Sequence, residues 1–142
     1  MKEKSYVMVK PEFANYNKVV EQIKTRLQNA GLTLIKGEYI IYSVEDARLH
    51  YAEHVGKDFY PNLERYITSD KAYGMIFEGE NAINVIRSIV GSTKNPAEGT
   101  IRHDIPKSLG LELRVTENVV HASDSVDSAE REIKIFENIL NR

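Results

Sequence analysis

The stretch from Asn118 to Glu132, NVVHASDSVDSAERE, contains the change of pattern that decides the fold. Its first five residues are mostly apolar and predict a short last strand that includes His121. Three serines and two aspartates follow, and Ser123 and Ser125 can cap a helix. That helix has one apolar face, formed by Ala129, Ile133, Phe136 and Leu140. The stretch therefore predicts a strand, a cap and a helix, with a histidine just before the turn.

The residues before this stretch alternate between strand and helix patterns. Strands are predicted at 5–10, 32–42 and 72–78. Helices are predicted at 18–30, 43–54, 62–69 and 81–90. Gly31 and Gly91 follow two of these helices, as C-terminal caps often do, and Gly37 predicts a bulge or bend in the second strand. Residues 92–117 show no clean periodicity and predict long loops.

The predicted order is β-α-β-α-α-β-α-β-α, in which two β-α-β units surround a helical insert. Hydrophobic strands combined with one-faced helices favour an α+β fold of ferredoxin-like type. In that α/β sandwich, helices cover an antiparallel four-stranded sheet. We expect residues 1–142 to form a single domain, because 142 residues is an ordinary length for one core.

Composition narrows the classes of function. Of the residues, 42% are hydrophobic and 28% are charged, as in a typical globular protein. The net charge of −2 gives no broad positive field, so nucleic acid is not an expected partner. The absence of cysteine excludes disulfides and thiolate metal ligands. No apolar run has membrane-spanning length and MKEKSY does not resemble a signal peptide, so we expect a cytoplasmic protein with no membrane partner.

The spacing of His121 and Glu132 suggests a nucleophile and its support. If the helix begins near residue 126, Glu132 lies roughly 9 Å along it at 1.5 Å per residue. A helix that folds back beside the strand can then bring the carboxylate to the imidazole. The carboxylate would keep one ring nitrogen protonated and leave the other free to attack. On spacing alone, a surface histidine followed by an ordinary helix glutamate is the simpler alternative.

Four polar side chains at the ends of elements or in loops could bind a polyphosphate together; they are Lys10, Arg87, Thr93 and Arg102. Each one alone is more simply explained as a solvated surface group. The known glycine-rich phosphate loops are missing from the sequence. His50, His54 and His121, with the carboxylates, are candidate metal ligands. His50 and His54 are four residues apart, but HYAEH is not the H-E-x-x-H motif, so the sequence does not favour a zinc site.

The segment NVVHASDSVDSAEREI resembles the active-site signature of nucleoside diphosphate kinases, N-x-x-H-G/A-S-D. Further segments resemble blocks of the same family in the same order, and together they cover nearly the whole chain. These segments are MVKPE, HYAEHVGKDFYPNL, YITSDKAYGMIFEGENAI, VIRSIVGSTKNPA and GTIRHD.

The resemblance implies a reaction and a set of roles. His121 would accept the γ-phosphate of ATP or another nucleoside triphosphate as phosphohistidine and pass it to a nucleoside diphosphate. Glu132 would orient the imidazole, with Ser123 in its hydrogen-bond network and Tyr51 beside the ring. The nucleotide would be bound by Lys10 and Asn118 at the sugar, by Lys10, Arg87, Thr93 and Arg102 at the phosphates, and by Phe59 and Leu63 at the base. Mg²⁺ would arrive on the nucleotide phosphates.

The chain also departs from the family pattern. The departures are Phe13, Tyr16, Asp70–Lys71, Lys94, a shortened 96–99, His103 and extra residues between Asp104 and Asn118. Family members assemble as hexamers or tetramers built from a common dimer. We therefore expect a homo-oligomer based on that dimer, with the larger assembly weakened by the altered segment 93–99.

Two alternatives use the same fold. One is a non-catalytic domain that binds nucleotides or another protein, since fold alone does not fix function. The presence of His121, Glu132, Lys10 and Asn118 disfavours it. The other is an enzyme that relays phosphate from a histidine to a protein partner. Phe59, Arg87 and Arg102 disfavour this second alternative, because together they suit a nucleotide.

Overall fold

A computed structural model describes residues 2–111 and 118–142. The strands in these ranges are β1 (Lys2–Val9), β2 (Thr33–Ile40), β3 (Ala72–Glu80) and β4 (Val120–Ala122). The α-helices are α1 (Asn17–Asn29), α2 (Val44–His50), α3 (Tyr60–Ile67), α4 (Ala82–Val90), α5 (Ile101–Ser108) and α6 (Val126–Leu140). Short 3₁₀ turns lie at Phe13–Asn15 and Ala52–His54.

The strands form one sheet in the order β2-β3-β1-β4, and each neighbouring pair is antiparallel. β4 adds only three residues to the edge of β1, with Val7 opposite Ala122, Met8 opposite His121 and Val9 opposite Val120. The ferredoxin-like α+β sandwich predicted from the sequence is confirmed.

The sheet separates two hydrophobic cores, and β1 supplies side chains to both. Val7 and Val9 pack on one face with residues of α1, α4 and α5. Tyr6 and Met8 pack on the other face with residues of α2, α3 and α6. A strand covered on both faces reads as a continuous apolar run, which explains the pattern SYVMV. His121 lies opposite Met8 and therefore faces the α6 side of the sheet.

The prediction that residues 92–117 form only loops is wrong for α5, Ile101–Ser108. Only Ile101, Ile105 and Pro106 are buried in this helix, so its apolar stripe is short. Pro106 also lies inside the helix, where a proline normally signals an end. The rest of that stretch, 112–117, lies outside the described residues.

The bulge predicted at Gly37 is displaced. The register of β2 against β3 shifts between Leu34 and Lys36, whereas Gly37 pairs regularly with Met75. Gly37 serves packing instead, because a Cβ there would lie 2.7 Å from the hydroxyl oxygen of Tyr73. The glycine leaves room for the tyrosine ring.

The buried carboxylate of Asp46 joins the start of α2 to Arg142, which follows α6. Ser43 Oγ accepts a hydrogen bond from the Asp46 backbone N–H at 3.1 Å, and Asp46 Oδ2 accepts one from the Ser43 N–H at 2.9 Å. Arg142 donates to both oxygens of Asp46, with Nη1 2.9 Å from Oδ2. Burial raises the pKa of Asp46, but the hydrogen bonds from Arg142 and Ser43 outweigh burial and hold it below its ordinary value. The contact fixes α2, which carries His50, against α6.

We predict that Arg142→Ala lowers the free energy of unfolding, because the buried carboxylate of Asp46 loses its charged partner. Thermal unfolding measures the loss. Because the folded-state pKa of Asp46 is lowered, this stabilisation is complete above the ordinary value of 3.8 and disappears as the pH falls through the lowered pKa. The difference between wild type and variant should therefore shrink in acid.

Arg48→Ala is the matched control. Arg48 Nε lies 3.0 Å from Glu64 Oε1, and both arginines are largely exposed, but the Glu64 side chain is 20% exposed against 3% for Asp46. Exposed pairs contribute about 0–1 kcal/mol, so we expect little change. Equal losses in the two variants would contradict a special role for the Asp46 contact.

Candidate active site

The candidate site lies where β4, β1 and α6 meet. α6 begins at Val126, and Ser125 caps it by accepting a hydrogen bond from the Ser128 backbone N–H at 3.1 Å. The predicted start near residue 126 and the cap at Ser125 are confirmed. Ser123 does not cap the helix; its Oγ accepts from the Tyr6 backbone N–H at 3.1 Å, across the β1–β4 pair. α6 then runs back beside β1 and brings Glu132 to His121.

Glu132 and His121 form the central contact of the site. His121 Nε2 lies 2.8 Å from Glu132 Oε1, and Ser123 Oγ donates to the same oxygen at 2.7 Å. Only 3% of the Glu132 side chain is exposed, against 19% for His121. Because a carboxylate accepts hydrogen bonds, the contact places the imidazole proton on Nε2 and leaves the lone pair on Nδ1. The arrangement presents Nδ1 as a nucleophile.

Two side chains at the end of α2 pack against the His121 ring. The ring centroid of His50 lies 4.5 Å from that of His121, and the centroid of Tyr51 lies 5.9 Å away. His50 is 2% exposed, and burial together with the nearby His121 holds its pKa well below the ordinary value. His50 is therefore neutral, and the two rings limit rotation of the His121 imidazole.

Lys10 and Asn118 meet at the other end of the β1–β4 pair. Lys10 Nζ donates to Asn118 Oδ1 at 2.8 Å, and the Lys10 backbone N–H donates to Val119 O at 2.9 Å. Both side chains are buried. The Val120 N–H reaches back to Asn118 O at 2.9 Å, which makes a three-residue turn around Val119 at φ 78°. This φ is strained for a β-branched residue, and such strain is concentrated at functional sites.

Arg102 of α5 is anchored behind β4. Its Nη1 donates to Gly91 O and its Nη2 to Val120 O, each at 2.8 Å. Burial and the charge of nearby Arg87 lower the pKa of Arg102 to about 10, which leaves it protonated at neutral pH. Its Nε is buried, and no group in the described ranges accepts a hydrogen bond from it. Two cations thus lie close together beside the strand of His121.

The turn between α2 and α3 carries an exposed aromatic ring. Phe59 is 45% exposed, and its ring centroid lies 5.4 Å from that of His54. Lys57 Nζ lies 3.2 Å from His54 Nδ1 and 5.8 Å from the Phe59 ring centroid. Leu63 is buried in the core below this turn. The exposed face of Phe59 can accept a flat ring.

The structure brings most of the predicted site residues together by direct contact. His121, Glu132, Ser123 and Tyr51 form one group, Lys10 and Asn118 a second, and Arg102 bonds to the backbone of β4. Phe59 connects to the first group through the rings of His54 and Tyr51. Thr93 is exposed in the segment after α4, and within the described ranges no hydrogen bond joins its side chain to the others.

Sequence reasoning missed His50 as a neighbour of His121. From the sequence, His50, His54 and His121 are candidate metal ligands, but packing of the His50 ring on the His121 ring is not predicted. A signal was present, because Ala47, His50 and Tyr51 have the i, i+3, i+4 spacing of one helix face, and all three are buried.

Comparisons with known proteins agree on one family. The family model described as nucleoside diphosphate kinase matches residues 3–138. The nucleoside diphosphate kinase of Staphylococcus carnosus is 44% identical over 137 residues, which are 94% of this chain and 86% of that protein. The enzyme of Staphylococcus aureus strain MSSA476 is 44% identical over 139 residues, 96% of this chain and 88% of that protein.

Solved structures show the same similarity. A nucleoside diphosphate kinase of Halobacterium salinarum in complex with CDP has a TM-score of 0.86 and 35% identity, covering 96% of this chain and 88% of that one. The apo enzyme of Encephalitozoon cuniculi has a TM-score of 0.85 and 27% identity, covering 94% and 88%. Among the described residues, no helix is long and apolar enough to cross a bilayer.

Proposed function

Because this chain belongs to the nucleoside diphosphate kinase family, we propose that His121 carries the phosphoryl group during transfer between nucleotides. The chain is a transferase that moves phosphate from a nucleoside triphosphate to a nucleoside diphosphate. The observation that supports the role of His121 is its contact with the buried Glu132, at 2.8 Å between Nε2 and Oε1. That contact leaves Nδ1 free to react.

In the first half-reaction, the Nδ1 lone pair attacks the γ-phosphorus, and the bond from that phosphorus to the bridging oxygen breaks. The nucleoside diphosphate leaves with the electron pair of that bond. The proton stays on Nε2, and Glu132 balances the positive charge that develops on the ring. A second nucleoside diphosphate then attacks the phosphohistidine and reverses the step. One site can serve donor and acceptor in turn, which is a ping-pong mechanism.

Lys10, Arg87 and Arg102 supply positive charge for the phosphate oxygens, and Thr93 supplies a hydroxyl. Phosphoryl transfer depends mainly on positioning and charge neutralisation. Arg102 suits this role because two backbone carbonyls already fix its guanidinium group. The cationic side chains Lys10, Arg87 and Arg102 are donors and cannot ligate Mg²⁺, which prefers oxygen ligands. We therefore assign Mg²⁺ to the phosphates of the bound nucleotide, where it would neutralise their charge.

Phe59 would stack on the base, with Leu63 supporting the turn from below. Lys10 and Asn118 would bind the sugar, which their mutual contact at 2.8 Å supports. Asn118 and Lys10 adjoin the strand of His121, whereas Phe59 lies at the rim. A nucleotide bound with its base outward and its phosphates inward fits this order. ATP and other nucleoside tri- and diphosphates are the proposed substrates.

For assembly, we propose a homo-oligomer built from dimers, either a hexamer or a tetramer. β2 lies at the edge of the sheet, and its flank exposes apolar residues, with Ile35 46% and Ile41 64% exposed. An open edge strand with exposed apolar side chains favours pairing with a second chain. We also propose that residues 1–142 act as one domain in the cytoplasm, without a membrane or nucleic-acid partner.

We predict that His121→Ala abolishes labelling of the protein by γ-labelled ATP. Wild-type label should be acid-labile and base-stable, and any nucleoside diphosphate should remove it. His103→Ala is the control, since it removes another histidine and should leave labelling intact. Substantial transfer by His121→Ala would show that the proposed nucleophile is wrong, and absence of label in the wild type would favour the non-catalytic alternative.

Glu132→Gln should be milder than His121→Ala, since it keeps the nucleophile and weakens its orientation. We expect kcat/KM to fall about ten- to a thousandfold. Steady-state assays of the two variants side by side would measure the difference, and a loss in Glu132→Gln as complete as in His121→Ala would contradict the supporting role.

Nucleotide preference should be weak, because the proposed site offers the base only a stacking plane, and every base has a π-face. We predict kcat/KM values within about thirtyfold across ADP, GDP, CDP, UDP and their deoxy forms, a span of roughly 2 kcal/mol. The segment 105–117 contains the charged residues Lys107, Glu112, Arg114 and Glu117, and the sequence places it directly before Asn118. A preference above about a thousandfold would implicate this segment, and shortening it should then remove the preference.

The dimer should be visible by light scattering at micromolar concentration. Ile41→Lys should weaken it, because a lysine directly after the edge strand β2 opposes pairing. Val126→Lys, at a residue 46% exposed at the start of α6, is the matched control and should leave the mass unchanged. A wild-type protein that is only monomeric would overturn the proposal.

A further inference from the structure

His50, His121 and Glu132 form a compact cluster that the proposed reaction does not fully use. One ligand atom from each lies within 4.8 Å of the other two. His50 and Glu132 are nearly fully buried, whereas 19% of the His121 side chain is exposed. The three residues lie on three elements that pack together: His50 on α2, His121 on β4 and Glu132 on α6. The fold therefore holds two imidazoles and one carboxylate in a fixed arrangement.

We propose that this cluster is a binding site for a borderline divalent metal ion of the Zn²⁺ type, and that metal bound there blocks phosphorylation of His121. The site is distinct in chemistry from that of Mg²⁺, which would be bound by nucleotide phosphates. The proposal rests on the proposed role of His121 as nucleophile and goes beyond it, because it describes how a metal ion would make that histidine unreactive.

The unused nitrogens of His50 support the proposal. Neither Nδ1 nor Nε2 of His50 has a hydrogen-bond partner among the described residues, although the side chain is only 2% exposed. Buried polar atoms in folded proteins are almost always bonded, so two unbonded ring nitrogens beside a carboxylate require an explanation. A neutral imidazole nitrogen has a lone pair for a metal.

The donor set selects the class of metal. Two imidazole nitrogens and one carboxylate oxygen are a common set for Zn²⁺ with an open fourth position. Mg²⁺ and Ca²⁺ prefer oxygen ligands alone, so they should compete poorly. Ser123 also fits the set, because it donates to Glu132 Oε1 at 2.7 Å and so orients the carboxylate from behind. Arg131 Nη2, 3.7 Å from Glu132 Oε2, opposes a cation and limits the affinity.

Metal binding and phosphorylation exclude each other through the proton on the His121 ring. In the metal-free site the proton is on Nε2, shared with Glu132 Oε1 at 2.8 Å, and Nδ1 has the lone pair. A metal ion that binds Nε2 needs the lone pair there, so the proton moves to Nδ1. The ring keeps one proton and its neutral charge, but Nδ1 can no longer attack phosphorus. A metal ion that binds Nδ1 instead occupies the nucleophile directly.

Co²⁺ is a suitable probe, since its four-coordinate complexes absorb visible light. Without nucleotide, which would chelate the metal, the wild-type protein should bind one Co²⁺ with visible bands, and Zn²⁺ should displace it. His50→Gln should weaken Co²⁺ binding at least about tenfold. Glu132→Gln should do the same and serves as a second variant if His50→Gln does not fold. His54→Gln, which changes another histidine on the same segment, should keep the bands.

Phosphorylation provides the second measurement. Protein loaded with Zn²⁺ and freed of excess metal should not take label from γ-labelled ATP, and a chelator should restore labelling. His50→Gln should resist this inhibition at least about tenfold, each variant being compared with its own metal-free rate. Unchanged Co²⁺ affinity in both His50→Gln and Glu132→Gln, or full metal occupancy without inhibition, would overturn the proposal. Failure of the kinase proposal would show separately, as a metal-free wild type that takes no label.

Discussion

The buried carboxylate of Glu132 is the constraint on which the site depends. It accepts hydrogen bonds from His121 and from Ser123 while only 3% of its side chain is exposed. A charge in such a place is stable only when its partners are present, so the segment 121–123, which contains both partners, has one favourable position against α6. The same bond that satisfies the charge also fixes the tautomer of the imidazole. Stability and reactivity therefore depend on one pair of atoms.

β1 extends this constraint to the rest of the molecule. It is a central strand, its side chains enter both cores, and Lys10 directly follows its last residue. β4 is short, yet both Lys10 and His121 depend on its pairing with β1. Arg102 supports the pair from the opposite face by donating to Val120 O at 2.8 Å. The groups that would bind phosphate and the group that would attack it are thus placed by one pair of strands.

The sequence predicts these features where local chemistry decides them. The cap at Ser125, the helix ends at Gly31 and Gly91, and the meeting of Glu132 with His121 follow from capping preferences and helical rise. Prediction from the sequence is wrong where tertiary packing determines the structure. Pro106 lies inside α5 and makes that helix hard to predict. The burial of His50 depends on which face of the short helix α2 packs against the sheet. The roles assigned to the site residues come mainly from the family motif, because on spacing alone a surface histidine is the simpler explanation.

The long-range pairing of β1 with β4 has a consequence for how the molecule forms. Tyr6 and Ser123, which join the two strands, are 117 residues apart in sequence, and Lys10 and Asn118 are 108 apart. Contacts of such separation form late, since the entropy of closing the loop must be overcome first. During synthesis from the N-terminus, β1 is made first but can meet β4 only after most of the chain has left the ribosome. A nascent chain of this protein therefore has no nucleophile in place, and chemical competence arises in the last steps of folding.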